Sequence, residues 1–355
     1  MDRIVFVIPD MPGGGTERVV AYLANEYCNR GIPVTILLFA GQETAYPLDE
    51  RIEVISVGTP SGGSIRARIE RLRRMRQFYR NHEKCQIWAF SVMGAVFSAI
   101  AAIGQKHFFL VSERNDPNQY EHKLIRNLAY RFADVIVCQT PDAAKSFPKG
   151  IRRKSMVIPN PIVVEGITPY EGVREKRIVA VGRLNPQKNH RLLIKAFSAF
   201  AKKHEDYVLE LYGKGELEAE LKRYAEELGI SDKVILKGFS DHVKEEINRA
   251  AMFVLSSDYE GISNSMTEAL ALGVPTIATD CPIGGSGMFI RDHSNGLLVP
   301  VGDDAALVAA MCEIAENPEL GLRIGREGRK IKEENTVSRI ADRFLAVDIR
   351  KRRTV

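Results

Sequence analysis

Long apolar runs are missing from this sequence, in which no stretch reaches the ~18 uncharged apolar residues of a transmembrane helix. The N-terminus, MDRIVFVIPD, reaches charge and then glycine too early for a secretory signal peptide. Repeats with a period of roughly 20 to 50 residues and low-complexity segments are missing as well, which argues against solenoids and disordered linkers. These absences predict a cytoplasmic protein built of globular domains.

Cysteine and tryptophan are scarce. The five cysteines are widely spaced, and none belongs to a C-x-x-C or Cys/His pattern, which excludes a disulfide framework and a zinc site of the usual kinds. We expect reduced and mostly buried thiols. The single tryptophan, Trp88, interrupts an apolar strand and is predicted to lie in the core. The cysteines are Cys28, Cys85, Cys138, Cys281 and Cys312.

Positive charge is concentrated in two segments. The formal net charge is only +5, but seven arginines fall within Arg66–Arg80 and four further cations within Arg350–Val355. If the first segment is helical, its apolar stripe comprises Ile65, Ile69, Leu72, Met75 and Phe78. Such a helix is either a solvated surface helix or a face that meets anionic lipid headgroups or a phosphate-bearing acceptor. Nucleic acid is not indicated, since no aromatic interleaving or binding motif accompanies the arginines.

Short β-branched runs alternate with helical patterns, which predicts an α/β fold with parallel sheets covered by helices on both faces. With 355 residues and 45% hydrophobic composition, the chain is long enough for two such domains. The first series of predicted strands is Arg3–Pro9, Val34–Phe39, Glu53–Val57, Gln86–Phe90, Phe108–Ser112, Val135–Cys138 and Met156–Ile158. The second series is Arg177–Val181, Val208–Tyr212, Val234–Lys237, Phe253–Ser256 and Thr276–Thr279.

The segment Pro159-Asn160-Pro161 separates the two series and predicts a hinge, because its prolines fix φ and disfavour helix. We therefore predict an N-terminal domain over residues 1–160, a C-terminal domain over 161–335, and a helix in 336–355 that packs back on the N-terminal domain. Ligands of doubly wound sheets bind outside the carboxyl ends of the strands. The residues that directly follow strands are therefore the candidates for function.

The first candidate is a glycine-rich loop after the first predicted strand. Gly13, Gly14 and Gly15 are followed by Thr16 and Glu17 and then by an amphipathic helical pattern. Glycines permit close backbone approach, and a helix N-terminus offers N–H groups to an anion. The spacing is neither that of a dinucleotide fingerprint nor that of a P-loop. A plain strand-to-helix turn is the alternative, but it does not require three consecutive glycines.

The second candidate follows the first strand of the C-terminal domain, in the sequence GRLNPQKNH from Gly182 to His190. Arg183 comes directly after the strand, and Lys188 is predicted to open the next helix. Two cations at this edge suit a diphosphate, whose leaving-group charge they would neutralise. Ordinary surface cations are the alternative interpretation.

The third candidate is the segment DYEGISNSMTE from Asp258 to Glu268. A small-residue loop follows a strand and leads into a helix predicted from about Met266 to Leu272, so its N–H groups can form a phosphate cradle. Glu268 would lie one turn inside this helix, where a carboxylate can accept both hydroxyls of a ribose. Glu260, ahead of the loop, can accept hydroxyls of a sugar. Helix capping explains Glu268 as well, but it does not explain Glu260.

Taken in order, these motifs resemble those of the retaining glycosyltransferases of family 4, which have two Rossmann-like domains in the GT-B fold. The resemblance rests on E-x7-E from Glu260 to Glu268, G-R-x4-K-N from Gly182 to Asn189, the GGGTER loop and the ALALGVP run over Ala269–Pro275. It covers nearly the whole chain. Each motif is weak by itself, but the ordered set is specific.

The resemblance implies a role for each motif. Arg183 and Lys188 would hold the donor diphosphate, Glu268 the ribose, and Glu260 the donor sugar near its 3- and 4-hydroxyls. The remaining donor contacts would come from Gly14, Gly15, Gly182, Gly261, Ile262, Ser263, Asn264 and Ser265, and from Gly238-Phe239-Ser240 against the nucleobase. Thr16, Glu17 and Asn115 are assigned to the acceptor. No cofactor or metal is expected, because the cations and the helix dipole serve instead, and we see no aspartate pair arranged for Mg²⁺.

The chain departs from the family at one position. Many relatives carry a histidine after a Ser-Glu pair in the first domain, where this chain has Arg114 after Ser112-Glu113. Arg114 could steady developing negative charge or the 6-hydroxyl of the sugar, but it would not relay a proton. This substitution agrees with a front-face mechanism, in which the donor β-phosphate takes the acceptor proton.

The sequence therefore predicts a retaining glycosyltransferase that moves a hexose or N-acetylhexosamine from a UDP-sugar to a saccharide or polyprenyl-linked acceptor in cell-surface glycan synthesis. We expect it in the cytoplasm or at the inner face of the plasma membrane. A sugar-nucleotide epimerase of the same fold and a non-catalytic nucleotide-sugar binding module are the alternatives. Epimerases of this kind lack the E-x7-E arrangement. A further loop, Asp280–Gly287, is equally consistent with donor contact and with a plain turn.

Overall fold

The computed structural model describes residues 2–41, 44–58, 64–82 and 84–352, with side chains described up to residue 347. The chain divides into two compact units, one comprising Met1–Pro161 with Thr336–Val355 and the other Ile162–Asn335. We refer to these as the N-unit and the C-unit. The predicted cationic segment Arg350–Val355 lies outside the residues whose side chains are described.

The N-unit contains a seven-stranded, entirely parallel sheet with the strand order β3-β2-β1-β4-β5-β6-β7. In its register, Phe6 of the central strand pairs with Ile36 on one side and with Trp88 on the other. All three side chains are fully buried, as expected for a parallel sheet covered on both faces. The strands are β1 (Arg3–Ile8), β2 (Val34–Leu38), β3 (Glu53–Ser56), β4 (Cys85–Ala89), β5 (Phe108–Glu113), β6 (Val135–Cys138) and β7 (Ser155–Val157).

The C-unit repeats the same doubly wound pattern with six parallel strands in the order β10-β9-β8-β11-β12-β13. Its central strand places Val179 beside Glu210 and Phe253. The strands are β8 (Glu175–Val181), β9 (Val208–Tyr212), β10 (Val234–Gly238), β11 (Ala250–Leu255), β12 (Thr276–Thr279) and β13 (Leu297–Val299). The α/β class with two doubly wound sheets is thus confirmed.

All twelve predicted strands are present, with their ends shifted by a few residues. The strand β13 was missed, because an apolar run of three residues between Gly296 and Pro300 is too short for a periodicity signal. The helices of the N-unit are α1 (Gly15–Asn29), α2 (Ile65–Asn81), α3 (Val92–Ala101), α4 (Lys123–Phe132), α5 (Pro141–Lys145), α6 (Lys149–Arg152) and α15 (Val337–Arg352). Those of the C-unit are α7 (His190–Phe200), α8 (Glu218–Glu227), α9 (Val243–Arg249), α10 (Asn264–Ala271), α11 (Gly285–Phe289), α12 (Asp304–Glu316), α13 (Pro318–Gly328) and α14 (Ile331–Glu334).

The arginine-rich segment forms a helix, α2, in which Met75 and Phe78 of the predicted apolar stripe are buried but its first two members are not. Ile65 and Ile69 are 76% and 45% exposed, and the buried positions are Ala67, Arg71, Met75, Phe78 and Tyr79. The Arg71 guanidinium lies 5.0 Å from the ring centroid of Phe97. Its aliphatic stem and its flat charged group can both lie against apolar and aromatic surface. The inner face therefore includes Ala67 and Arg71 in place of Ile65 and Ile69.

The C-terminal helix α15 packs back on the N-unit and completes its core. Ile340, Ala341, Phe344 and Val347 are at most 1% exposed. The Phe344 ring stacks on Trp88 with 5.5 Å between centroids, and the Tyr27 hydroxyl donates a hydrogen bond to the Ala341 carbonyl at 3.0 Å. Trp88 is therefore a core residue, as predicted. All five cysteines are free thiols, and four of them are buried.

Candidate active site

Three glycines line neighbouring strand ends at one edge of the C-unit sheet. Gly182 follows β8, Gly213 follows β9, and Gly238 ends β10. The Gly182 amide donates to the Tyr212 carbonyl at 2.9 Å, and the Gly213 amide to the Gly238 carbonyl at 2.8 Å. A Cβ at Gly213, where φ is +140°, would lie 1.9 Å from the Gly182 carbonyl oxygen. Only glycine fits at this position. The sequence signal that could have identified it is Gly-Lys-Gly directly after β9.

Lys188 and Glu260 form a largely buried ion pair at the same edge. Lys188 Nζ lies 2.5 Å from Glu260 Oε2, and the two side chains are only 15% and 13% exposed. The same carboxylate accepts from Ser257 Oγ at 3.2 Å and from Gln187 Nε2 at 3.4 Å. Two residues predicted separately, as a diphosphate ligand and a sugar ligand, thus contact each other directly. Sequence reasoning missed Gln187 and Ser257.

Side chains join the loops that carry this ion pair. Asn189 Nδ2 donates to Asp258 Oδ1 at 2.7 Å, and Ser256 Oγ donates to the Lys188 carbonyl at 3.0 Å. The prediction that Lys188 opens a helix is wrong. Lys188 ends a short 3₁₀ turn, Pro186–Lys188, and Asn189 in the left-handed conformation (φ 43°) caps α7. Pro186 favours this first tight turn, and asparagine tolerates the left-handed backbone.

The loop after β11 leads into α10, which begins at Asn264, two residues before the predicted start. Ser263 caps this helix by accepting from the Met266 amide, and Ser265 Oγ donates to the Val181 carbonyl at 3.1 Å, which ties the helix to the end of β8. Glu268 lies in the first turns of α10 and is 3% exposed. Lys244 Nζ of α9 lies 3.9 Å from Glu268 Oε1. The motifs did not reveal this lysine beside the predicted ribose ligand.

The backbone at the start of α11 lies very close to the loop at Gly261. A Cβ on Gly285, the first residue of α11, would lie 1.5 Å from the Gly261 carbonyl oxygen. The Asp280–Gly287 loop therefore contacts the predicted donor loop. Arg183 and Phe239 are exposed, Phe239 by 63%. Within the described part of the chain, Arg183 forms no ion pair.

Buried His190 follows the Lys188 loop and begins α7. Neither of its ring nitrogens has a hydrogen-bond partner of normal geometry among the described residues. Burial, reinforced by the charge of Lys188, lowers the pKa of His190 to about 4, while the backbone of Arg183 and Gly182 acts in the opposite direction. His190 is therefore neutral at pH 7 and packs under the loop as an uncharged ring.

In the N-unit, the GGGTER loop connects β1 to α1 as predicted. Gly14 is the N-cap of α1 without a side-chain cap, and its carbonyl accepts from the Tyr46 hydroxyl at 3.0 Å. Gly15 and Thr16 begin the helix, and Glu17 is the acidic residue of its first turn. A Cβ added at Gly14 would lie 2.1 Å from Glu17 Oε2, so the Glu17 carboxylate lies over the start of the helix.

Arg114 follows β5 and is anchored within the N-unit. Its guanidinium donates to Asn160 Oδ1 of the predicted hinge and lies 5.5 Å from the Phe90 ring centroid. Gln139 Nε2 donates to the same Asn160 oxygen at 2.7 Å. Burial lowers the pKa of Arg114 to about 9, so the group remains charged at neutral pH. Asn115, beside it, is exposed and accepts from the Asp116 amide at 2.9 Å.

One group of side chains in the described ranges offers three metal-ligand atoms within 4.8 Å of one another, namely His204, Cys312 and Glu316. His204 follows the C-terminal end of α7, and the other two residues lie on α12, whereas Lys188 precedes the N-terminal end of α7. This group therefore lies apart from the predicted donor residues of the C-unit.

None of the helices in the described ranges combines the length and apolar character needed to cross a bilayer.

Comparison with known proteins identifies the family. The family model for glycosyl transferases group 1 matches residues 171–331, and that for glycosyltransferase family 4 matches residues 13–165. An uncharacterized glycosyltransferase of Haemophilus influenzae is 24% identical over 98% of this chain and 100% of its own length. In Campylobacter jejuni, GalNAc-alpha-(1->4)-GalNAc-alpha-(1->3)-diNAcBac-PP-undecaprenol alpha-1,4-N-acetyl-D-galactosaminyltransferase is 26% identical over 90% of each chain.

Solved structures agree on the fold. The crystal structure of Anabaena HepE in complex with UDP and glucose superposes with a TM-score of 0.84, at 19% identity, over 98% of this chain and 99% of that chain. The E-x7-E and G-R-x4-K-N motifs lie in the part matched by the group 1 model, and the GGGTER loop in the part matched by the family 4 model. The chain therefore belongs to the family 4 glycosyltransferases and has their GT-B fold.

Proposed function

We propose that the chain is a retaining glycosyltransferase that moves a hexose or N-acetylhexosamine from a UDP-sugar to a saccharide or polyprenyl-linked acceptor in surface-glycan synthesis. The observation that carries the proposal is the Lys188–Glu260 ion pair at the carboxyl edge of the C-unit sheet. Similar proteins lend support, since the Campylobacter jejuni relative is a transferase named for an undecaprenol-linked substrate and HepE was crystallised with UDP and glucose.

The two members of the ion pair can contact two different parts of a nucleotide-sugar, the diphosphate and the sugar. A donor diphosphate gives the Lys188 ammonium a second anionic partner, and the sugar hydroxyls give the Glu260 carboxylate new donors. Since the two side chains are only 15% and 13% exposed, their electrostatic interactions are stronger than in water. Lys188 and the exposed Arg183 would then neutralise the charge that develops on the leaving UDP. Glu268 would accept the ribose hydroxyls.

The proposed reaction proceeds on one face of the sugar. The bond between the anomeric carbon and the UDP oxygen breaks, and the acceptor oxygen bonds to the same carbon from the same side. The acceptor proton passes to a β-phosphate oxygen of the departing UDP, which becomes the leaving group's hydroxyl. No protein side chain has to relay that proton, in agreement with an arginine at position 114. Arg114 would steady negative charge or the 6-hydroxyl of the sugar.

Metal-independent transfer is part of the proposal. Arg183, Lys188 and the N-terminus of α10 supply positive charge to the diphosphate, which is the task of a divalent cation in other transferases. Activity that survives EDTA would support this point. Activity that requires added Mg²⁺ or Mn²⁺ would contradict it.

The deciding experiment combines a panel of UDP-sugars with polyprenyl-linked and free saccharide acceptors and detects the products by mass. We expect UDP release that depends on the acceptor, and a glycoside with the donor's anomeric configuration by NMR. Release of UDP without acceptor, accompanied by an altered free sugar, would instead identify an epimerase. Binding without any UDP release would identify a non-catalytic module.

A further inference from the structure

Three consecutive helices of the N-unit carry an unusual surface. More than half of the exposed large hydrophobic side chains in the described part of the chain lie on α2, α3, α4 or the turn after α3. We call the members on α3, its following turn and α4 the apolar face. The apolar face comprises Met93, Ile100, Ile103, Leu124, Ile125, Leu128 and Phe132, which are between 42% and 86% exposed.

Helix α4 is amphipathic, but its apolar side faces outward. At 100° per residue, Leu124, Ile125, Leu128 and Phe132 fall within one arc of about 100°, and this arc points outward. The inner side holds Arg126, which is 3% exposed, with Ala129 and Tyr130. The Arg126 guanidinium donates to the Pro117 carbonyl and lies 4.9 Å from the Phe147 ring centroid.

A surface helix normally turns its apolar arc inward, because burying it stabilises the fold. Here Arg126 lies on the buried side of the helix, whereas Leu124 is 86% exposed. The outward arc therefore does not serve the packing of the N-unit. A contiguous exposed apolar patch of this kind indicates an interaction surface.

The surroundings of the apolar face are strongly cationic. Helices α2, α3 and α4 together contain ten arginines and lysines and a single acid, Glu70, which gives a formal charge of 10 − 1 = +9. Arg76 of α2 donates to the carbonyls of Ala101 and Ile103 at 3.1 and 2.7 Å, so the arginine helix is joined to the end of α3. Exposed apolar side chains and exposed cations thus occupy neighbouring helices.

We propose that the apolar face inserts into the interface of an anionic lipid bilayer, with the cations of α2 and α4 bound to lipid headgroups. Shallow insertion of leucine, isoleucine and phenylalanine beside lysine and arginine is how interfacial helices bind membranes. A second copy of the chain is a poor partner, because it would bring +9 against +9. An anionic bilayer satisfies the apolar area and the charge together.

The inference goes beyond the proposed transfer reaction, because the apolar face includes none of the residues assigned to donor or acceptor. The sequence predicted a membrane contact on Arg66–Arg80, and the inference assigns the inserted side chains to a different surface. The arginines supply attraction, but the inserted side chains belong mainly to α4.

The first test is co-flotation of the full chain with vesicles of phosphatidylcholine containing about one third phosphatidylglycerol. We expect binding that is weaker on pure phosphatidylcholine. The variant L124S/L128S/F132S should bind at least about tenfold more weakly, since burial of each such side chain is worth on the order of 1 kcal/mol or more. The matched control is V173S/L322S in the C-unit, whose side chains are 93% and 55% exposed. It should bind like the unmodified chain.

A fluorescent reporter tests insertion directly. The only native tryptophan, Trp88, is fully buried and gives a constant background. Leu128→Trp adds an exposed indole, whose emission should shift to the blue on vesicle addition and be quenched by brominated lipid. Leu322→Trp is the control and should show neither change.

Several results would overturn the proposal. One is equal vesicle binding by the unmodified chain and L124S/L128S/F132S, which would leave only headgroup attraction by arginine. Another is an unshifted L128W emission on bound vesicles. A third is a concentration-dependent dimer that the triple variant abolishes while vesicle binding is unaffected, which would make a second copy the partner. UDP binding by the triple variant, measured in solution, separates failure of this inference from failure of the proposed transfer.

Discussion

Lys188 Nζ lies 2.5 Å from Glu260 Oε2, so the cation predicted for the diphosphate and the carboxylate predicted for the sugar hold each other. Each is also fixed from its own side, Lys188 by the bond from Ser256 Oγ to its carbonyl and Glu260 by Ser257 Oγ. The pair is therefore preorganised at the carboxyl edge of the C-unit sheet. Preorganised charge is what stabilises a leaving group most effectively.

We predict that Lys188→Ala lowers turnover at least about tenfold while the protein stays folded, because it removes charge that compensates the leaving diphosphate. Steady-state kinetics with saturating UDP-sugar measures the change. Lys195→Ala is the matched control, since Lys195 is on the adjoining helix and pairs with Asp304 at 2.9 Å on the surface. Unchanged turnover in Lys188→Ala would remove that residue from the mechanism.

Glu268→Ala should weaken UDP binding by at least about tenfold, because each lost hydrogen bond to a charged group is worth about 1.5 to 3 kcal/mol. Titration calorimetry with UDP measures the affinity. Glu220→Ala on the exposed surface of α8 is the control. A dissociation constant equal to that of the unmodified chain would contradict the ribose assignment.

Gly213→Ala should destabilise the C-unit by about 2 to 4 kcal/mol, because the new Cβ would lie 1.9 Å from the Gly182 carbonyl at a φ of +140°. Gly229→Ala separates the two causes. Gly229 also has a positive φ, +69°, but nothing lies within 4 Å of an added Cβ, so only about 1 kcal/mol should be lost. Urea unfolding measures both variants. Equal losses would show that contact with Gly182 is unimportant.

Buried His190 should make the stability of the C-unit depend on pH. Its folded pKa, about 4, lies below the ordinary value of 6.5, so the unfolded chain binds more protons between these values. The stability from neutral His190 is present above about pH 6.5 and is lost as pH falls toward 4, by up to roughly 3 kcal/mol.

The measurement is the difference in urea midpoint between pH 7 and pH 5, which should shrink in His190→Gln. His293→Asn is the contrasting control. The Asp292 carboxylate raises the pKa of His293, so its contribution is present at low pH and lost as pH rises. A pH dependence that His190→Gln leaves unchanged would contradict the assignment.

The periodicity of the sequence was sufficient for the architecture. Alternating β-branched runs and helical patterns specify a doubly wound α/β protein, because a parallel sheet has to be covered on both faces. The short strand Leu297–Val299 was not predicted, because three residues are too few to show a hydrophobic periodicity. The helix of Arg66–Arg80 was predicted, but only part of its inner face was, because the guanidinium of Arg71 lies over the Phe97 ring on the inner side.

The sequence by itself also determined the family, through the order and spacing of Gly182–Asn189 and Glu260–Glu268. Only the tertiary structure decided that Lys188 and Glu260 pair, because these residues are 72 positions apart and meet through the adjacency of β8 and β11. It likewise revealed the outward apolar arc of α4. A hydrophobic period states that one side of a helix is apolar, but only packing decides which side faces the core.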